Sequence, residues 1–255
     1  EALLEPPPGA SPLWRRTRVT GLFPGDTDTD GLRDAIQRSL APEASRGLEL
    51  EMLADRAWER AWLERFHPMR FGERLWVCPD GQRPDSRDGV FLDLDPGLAF
   101  GTGTHPTTAL CLSWLDRADI AGKRVLDFGC GSGILSIAAL RLGAAHAIAV
   151  DHDPQALEAT RANALRNGVL ERLETASGGL PPELRVDLVL ANILAGTLIE
   201  LEPVLARHLV PGGHLLLSGI LAGQADQVGA AYAADFALQP PRQLEEWVLL
   251  EGRRR

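Results

Sequence analysis

The sequence predicts an α/β fold: a parallel sheet covered by helices on both faces and closed by one strand that runs the other way. Three observations predict it. From Lys123 onward, short and nearly continuous apolar runs alternate with longer helix-like segments, the pattern of strands buried on both faces. The run VLDFGCGSG, Val125 to Gly133, sets a glycine at every second position between a strand and a helix. Such a turn lets a nucleotide-like ligand lie against bare backbone at a helix start. Near the end, strand-like segments around Phe236 to Gln239 and Glu246 to Glu251 are separated only by PPRQLE. That is too short for a parallel crossover, so the two should pair antiparallel.

The elements follow in order. Residues 1 to about 50 mix Pro6, Pro7 and Pro8 with a strand-like run, Arg18 to Phe23, and a helix-like piece, Gly31 to Leu40; this reads as part of a small α+β unit. Leu48, Leu50 and Met52 alternate with charges as in a half-exposed strand. A helix follows in which Ala54, Trp58, Trp62 and Phe66 recur every four residues and which Pro68 ends. Its tryptophans are read as packing surface. GERLWVCP is a strand, GQRPDSRDG a polar turn-rich segment, and Val90 to Leu94 a further strand. The domain boundaries are set accordingly at 1–52, 53–90 and 91–255.

In the third segment KRVLDFG is a strand, ILSIAALRL a helix closed by Gly143, and HAIAVD a strand. The helix DPQALEATRANALRNG has Asp153 as N-cap, Pro154 in its first turn and Gly168 at its end. RLETAS and VDLVLAN are strands, Thr197 to Leu209 a helix, GGHLLLSGI a strand, Leu221 to Ala234 a helix and EEWVLLEGR the last strand.

Composition narrows the function. A chain of 255 residues with 45% apolar content can bury a sizeable core. A formal charge of −9 argues against nucleic acid as a direct substrate, because phosphate binding needs a basic surface. Cys78, Cys111 and Cys130 are odd in number and widely spaced, which points away from a disulfide framework and toward a reducing, cytoplasmic setting. Neither C-x-x-C nor H-x-x-x-H occurs, so no metal site is expected. No apolar run approaches the ~20 residues of a membrane span. The opening EALLEPPPGA has neither an initiator Met nor a signal-peptide pattern, so the chain is expected to have lost its beginning.

Three constellations carry chemistry. Asp151 ends a strand 20 residues beyond Gly131, where a carboxylate can accept hydrogen bonds from both hydroxyls of a ribose; the competing role, an acid near the next helix start, has Asp153 as candidate. Asp127 is read as ordering the glycine turn or meeting an ammonium group of the ligand. The loop FGTGTHPTT, Phe100 to Thr108, lacks the lysine of a phosphate loop. Thr104 or His105 should cap a helix with Pro106 at its first position, and that helix start would offer N–H and hydroxyl donors to a carboxylate. His105 as a general base is the weaker reading. Asn192 opens NILA at a strand end, where its amide oxygen can hold an amine N–H and aim the nitrogen lone pair. It could equally form a turn before the following helix.

FLDLDPGLAFGTGTHPTTALCL, VLDFGCGSGILSIAAL, VDHDPQALEATRANALRNG and VLANILAG together resemble the PrmA family, methyltransferases of large-subunit ribosomal protein eleven. The likeness runs from about Trp58 to the C-terminus. It implies a Rossmann-like, seven-stranded class I methyltransferase domain, with S-adenosylmethionine bound at positions matching Thr108, Gly129, Asp151 and Asn192. Phe100, Thr104, Asp127 and Gly131 join this set from the loops just described. It also implies a ferredoxin-like, substrate-recognising N-terminal domain and a linker helix; residues 1–52 correspond to only the later part of that domain. The implied reaction is N-methylation, often to the trimethyl level, of the α-amino group and lysine side chains of the ribosomal protein, free or on its subunit. The amine must lose its proton first, from a pKa of about 8 for an α-amine or about 10.4 for lysine, and no base stands out. Positioning by Asn192 is therefore expected to dominate. The alternative is N-methylation of another protein amide, a nucleobase or a small amine; the nucleobase and glutamine forms are disfavoured because NILA lacks the prolines and aromatic of NPPY-like motifs. A nicotinamide enzyme is disfavoured because G-x-G-x-x-G is missing.

Overall fold

Residues 20–40, 47–52, 67–79, 82–95 and 103–255 are described in the computed structural model, and the chain divides into two units between Arg56 and Ala57. In the first unit Asp28 caps helix α1 (Thr29–Ser39), its carboxylate accepting the Asp30 N–H at 3.2 Å. No residue of α1 is buried. Residues 20–23 and 48–52, expected as strands, form none; alternation alone does not hold a strand that finds no neighbour to pair with. The helix expected around Trp58, Trp62 and Phe66 lies outside the described residues, as does the Phe100 end of the threonine-rich loop.

The second unit opens with a small sheet of β1 (Met69–Phe71), β2 (Leu75–Pro79) and β3 (Val90–Leu94). β1 and β2 pair antiparallel, β2 and β3 parallel. Helix α2 (Pro106–Arg117) follows, then β4 (Arg124–Phe128), α3 (Ile134–Arg141), β5 (His146–Val150), α4 (Pro154–Arg166), β6 (Leu173–Ala176), β7 (Val186–Asn192), α5 (Ala195–His208), β8 (Leu209–Leu221), α6 (Ala225–Tyr232), β9 (Phe236–Leu238), β10 (Arg242–Leu244) and β11 (Trp247–Arg254). The main sheet runs β10-β11-β8-β7-β4-β5-β6. β4 to β8 are parallel and β11 is antiparallel to β8, the class I methyltransferase arrangement that the sequence predicts. An eighth strand arises because Pro240 and Pro241 interrupt the edge: β9 pairs with Gly252 to Arg254 and β10 with Trp247 to Leu249, both on β11. Proline donates nothing to a ladder, so one edge strand becomes two.

Alternation along each strand builds two cores. Val125, Ala147, Leu188, Leu190, Leu216 and Leu249 face α2 and α3, whereas Leu126, Ile148, Val189, Ala191, Leu217 and Leu250 face α5 and α6. The small sheet shares the first of these, through Leu75, Val77, Leu92 and Leu94. It is fastened there by Asp116, a buried acid at the end of α2. Its carboxylate accepts the backbone N–H groups of Glu73 (2.6 Å), Arg74 (3.2 Å) and Leu75 (3.0 Å), and Arg74 donates back to the Asp116 carbonyl at 2.9 Å. Removing a buried acceptor strands all three donors. Asp116→Ala is expected to lower the unfolding free energy by about 3 kcal/mol in urea titration; a loss under about 1 kcal/mol would mean that the turn is held elsewhere.

Candidate active site

The site grows from the C-terminal ends of β4, β5 and β7, where doubly wound sheets leave a crevice. After β4 the chain turns through Gly129, Gly131 and Gly133 into α3. The N–H groups of this turn point inward: Gly129 and Cys130 donate to the Val150 carbonyl (2.7 and 3.0 Å), Gly133 donates to Cys130 (2.8 Å), and Gly131 donates to the Asp151 carboxylate at 2.9 Å. The turn therefore offers a ligand bare Cα surface, while its amides tie the ends of β4 and β5 together. Thr160 and Asn163 of α4 brace it from behind by donating to the Gly131 and Ser132 carbonyls at 2.9 and 3.0 Å.

Asp151 is largely buried, and its other oxygen accepts the Asp153 N–H at 3.0 Å. One lone pair on each oxygen is thus used by the protein and one is left for hydroxyl donors. Asp153 caps α4 through the Gln155 N–H at 2.9 Å, so the two acids divide the roles that the sequence left open. Asp127 is buried, and one of its oxygens accepts both the N–H (3.0 Å) and the hydroxyl (2.6 Å) of Ser136 in the first turns of α3. Burial pushes its carboxyl up to about 6, against the pull of the Ser136 hydrogen bonds. Cys130 sits in the same turn, buried, 3.4 Å from the Thr160 hydroxyl. Burial first, and then the Asp127 charge, push its thiol up to about 12.

The threonine-rich loop ends as a helix start. His105 is the N-cap of α2 and Pro106 follows it. The Thr107 N–H donates to His105 Nδ1 at 3.4 Å, and the Thr107 hydroxyl lies 2.8 Å from the same nitrogen. Capping thus engages Nδ1 of the ring. Thr104 is exposed just ahead of the cap. One turn on, buried Thr108 accepts a hydrogen bond at 3.2 Å from Asn192 Nδ2, at the end of β7. With its NH2 group engaged there, the Asn192 amide keeps its carbonyl oxygen for another donor.

Gly219 and Trp247 escaped the sequence reading. Gly219 and Gly129 sandwich Ile193, the residue after Asn192. A Cβ on Gly129 (φ +78°) would come 2.3 Å from Ile193 Cγ2, and one on Gly219 (φ +82°) 2.3 Å from the Ile193 carbonyl oxygen. Ile193 N–H also donates to the Ser218 carbonyl at 3.2 Å. Trp247, the first residue of β11, packs edge-on to the His105 ring with centroids 4.9 Å apart. The only local signal for either was the tail of the LLLSGI run and the EEW start of the last strand.

Among the described residues no three His, Cys, Asp or Glu side chains converge as a metal site, and no helix is long and apolar enough to cross a membrane. A separate cleft of about 680 Å³ opens at the other end of the strands, near Lys123, His214 and Arg253, and contains none of the residues above.

Residues 1–255 match the family model described as ribosomal protein L11 methyltransferase (PrmA). A ribosomal protein L11 methyltransferase of Hahella chejuensis is 53% identical over 254 residues, covering 100% of this chain and 86% of that protein. One of Methylococcus capsulatus is 55% identical over 256 residues, covering 100% and 87%. Among solved structures, the ribosomal protein L11 methylase of Lactobacillus delbrueckii subsp. bulgaricus superposes with a TM-score of 0.69 at 33% identity, over 74% of this chain and 100% of that one.

Proposed function

The chain belongs to the family of ribosomal protein L11 methyltransferases, and from that premise we propose that it methylates the α-amino group and lysine side chains of ribosomal protein L11 at the sheet edge around Asn192. It is an S-adenosylmethionine-dependent methyltransferase; the donor, when bound, supplies an electrophilic methyl group on a sulfonium that leaves as a neutral thioether. The observation that carries the site assignment is the Asn192–Thr108 hydrogen bond at 3.2 Å. By engaging the amide nitrogen it turns the amide oxygen toward an incoming amine, which gives up one N–H to it and presents its lone pair. The proton lost by the amine goes to solvent.

The residues present suit the donor. Asp151 retains acceptor capacity for the ribose hydroxyls, the glycine turn is bare of side chains, and Asp127 supplies a carboxylate for the amino-acid ammonium. Gly129, Gly131, Thr108 and Thr104 complete this proposed set, with Phe100 in the segment leading to it. We assign residues 1–52 to substrate recognition, 53–90 to the link and 91–255 to catalysis. We place the enzyme in the cytoplasm, acting on free or subunit-bound L11, with no nucleic acid as direct substrate. Incubation with labelled S-adenosylmethionine and purified L11, read by peptide mass spectrometry, tests the reading. Label on RNA, or on no amine of L11, would overturn it.

Asp127 makes donor affinity depend on pH. Its carboxyl is held near 6 by burial, so below that pH it is mostly protonated and neutral. A neighbouring ammonium favours the ionised form, and binding therefore releases a proton there. Affinity for S-adenosylmethionine is expected to rise by about fivefold as pH increases from about 5 to about 6 and to level off above about 7. Asp127→Asn should bind more weakly at neutral pH and lose that dependence. Calorimetric titration across pH 5 to 8 checks it; a flat wild-type profile removes Asp127 from the ammonium site.

A further inference from the structure

We propose that Trp247 is a specificity-determining residue of the amine subsite, its indole forming the wall that holds the substrate nitrogen once that nitrogen carries methyl groups. This rests on the amine-methylation reading above and extends it to the last transfer.

Strand geometry puts Trp247 at the right place. β11 runs against its neighbours, so its first residue stands at the edge where β7 ends. Trp247 pairs with Leu221 on β8, and Asn192 pairs with Ser218 on the same strand. Two strand spacings across, and two to three residues along because the β11–β8 register shifts between Val248 and Leu250, put the Cα atoms of Trp247 and Asn192 on the order of 12 to 14 Å apart. Alternation also puts both on one face. Leu190 and Leu249, two residues from each, both belong to the core under α2, and His105 and Thr108, their respective contacts, both belong to the start of that helix.

The indole is held in place and remains partly exposed. It packs against His105 at 4.9 Å and 66°. The two-residue turn before it places Glu245 at φ +54°, the one non-glycine positive φ among the described residues. That conformation persists where the surroundings over-determine it. Here Gln243 Nε2 donates to the Glu245 carbonyl (2.7 Å), and the Ala222 N–H donates to the Glu246 carbonyl (2.8 Å).

Counting hydrogens shows why such a wall is needed. In each transfer a nitrogen–carbon bond forms as the sulfur–carbon bond breaks; the electron pair leaves with the neutral thioether, and the positive charge moves to nitrogen. A neutral primary amine offers two N–H groups, its monomethyl product one, and its dimethyl product none. Asn192 can therefore hold the acceptor for the first two transfers and has nothing to hold for the third. A tertiary amine still has apolar methyl surface to pack on indole, and the charge arriving on its nitrogen is attracted to the ring.

The experiment is a time course of L11 methylation by wild type, Trp247→Leu and Trp247→Phe, with mono-, di- and trimethyl products resolved by mass spectrometry. Retained S-adenosylhomocysteine binding serves as the check on folding. Trp247→Leu is expected to slow the third transfer by about tenfold or more and the first by about threefold or less, so that dimethyl product accumulates; Trp247→Phe should restore trimethylation in part. Equal slowing of all three transfers, or trimethylation by Trp247→Leu at the wild-type rate, overturns the proposal. So does a wild type that stops at dimethyl. If Trp247→Leu does not fold, Trp247→Phe decides by the same ratio of third to first transfer. A wild type that leaves L11 unlabelled refutes the amine-methylation reading itself, a separate outcome.

Discussion

Asn192→Ala is expected to lower kcat by about 10²- to 10³-fold while weakening S-adenosylhomocysteine binding by about tenfold at most. Alanine removes the amide oxygen proposed to hold the amine and leaves the glycine turn and Asp151 intact. Truncation also frees Thr108, which sits buried with the Asn192 NH2 as hydrogen-bond partner at 3.2 Å. Asn192→Asp separates the two effects. It keeps an acceptor for the amine, but the carboxylate cannot donate to Thr108, so orientation is lost while charge is gained. Single-turnover rates with L11, alongside calorimetry with S-adenosylhomocysteine, read both quantities. A kcat within threefold of wild type for Asn192→Ala would take Asn192 out of the chemistry.

The second large effect is expected at a residue that touches no substrate. Gly219→Ala puts a methyl group 2.3 Å from the Ile193 carbonyl oxygen and 2.8 Å from its carbon. Both are backbone atoms, so no side chain can rotate out of the way. At φ +82° the new residue also carries the left-handed penalty of about 1–2 kcal/mol. Together these should cost about 3 kcal/mol or more of stability and shift Asn192 through its neighbour. A shift of about 1 Å there is worth on the order of 10² in rate. Gly212→Ala is the control: its φ is +75°, but nothing lies within 4 Å of its Cβ. It should lose about 1 kcal/mol and keep its turnover. Equal activity in the two variants would show that the Ile193 sandwich does not position the asparagine.

These two residues also mark how far the sequence could be read. Asn192 was legible because chain order alone puts it at a strand's C-terminal end, and the strands themselves were legible as apolar runs separated by capped helices. The reversed pairing of β9 with β11 followed from a linker too short to cross over. Gly219 was not legible, because its constraint is an approach between strands that no local pattern encodes. Asp116 reads in SWLDR as an ordinary acid near a helix end; only the fold brings the Gly72–Leu75 turn onto it. The inward donation by the glycine turn was not legible for a related reason. A G-x-G-x-G run shows that backbone is bare and does not show where its amides point.

Cys130 carries one more consequence. A sulfonium methyl donor alkylates thiolates readily, and the turn assigned to that donor contains a thiol. Burial and the neighbouring Asp127 charge push this thiol up to about 12, which favours the protonated, poorly nucleophilic form. A protonated thiol in the turn assigned to the donor competes poorly with a neutral amine for an electrophilic methyl group.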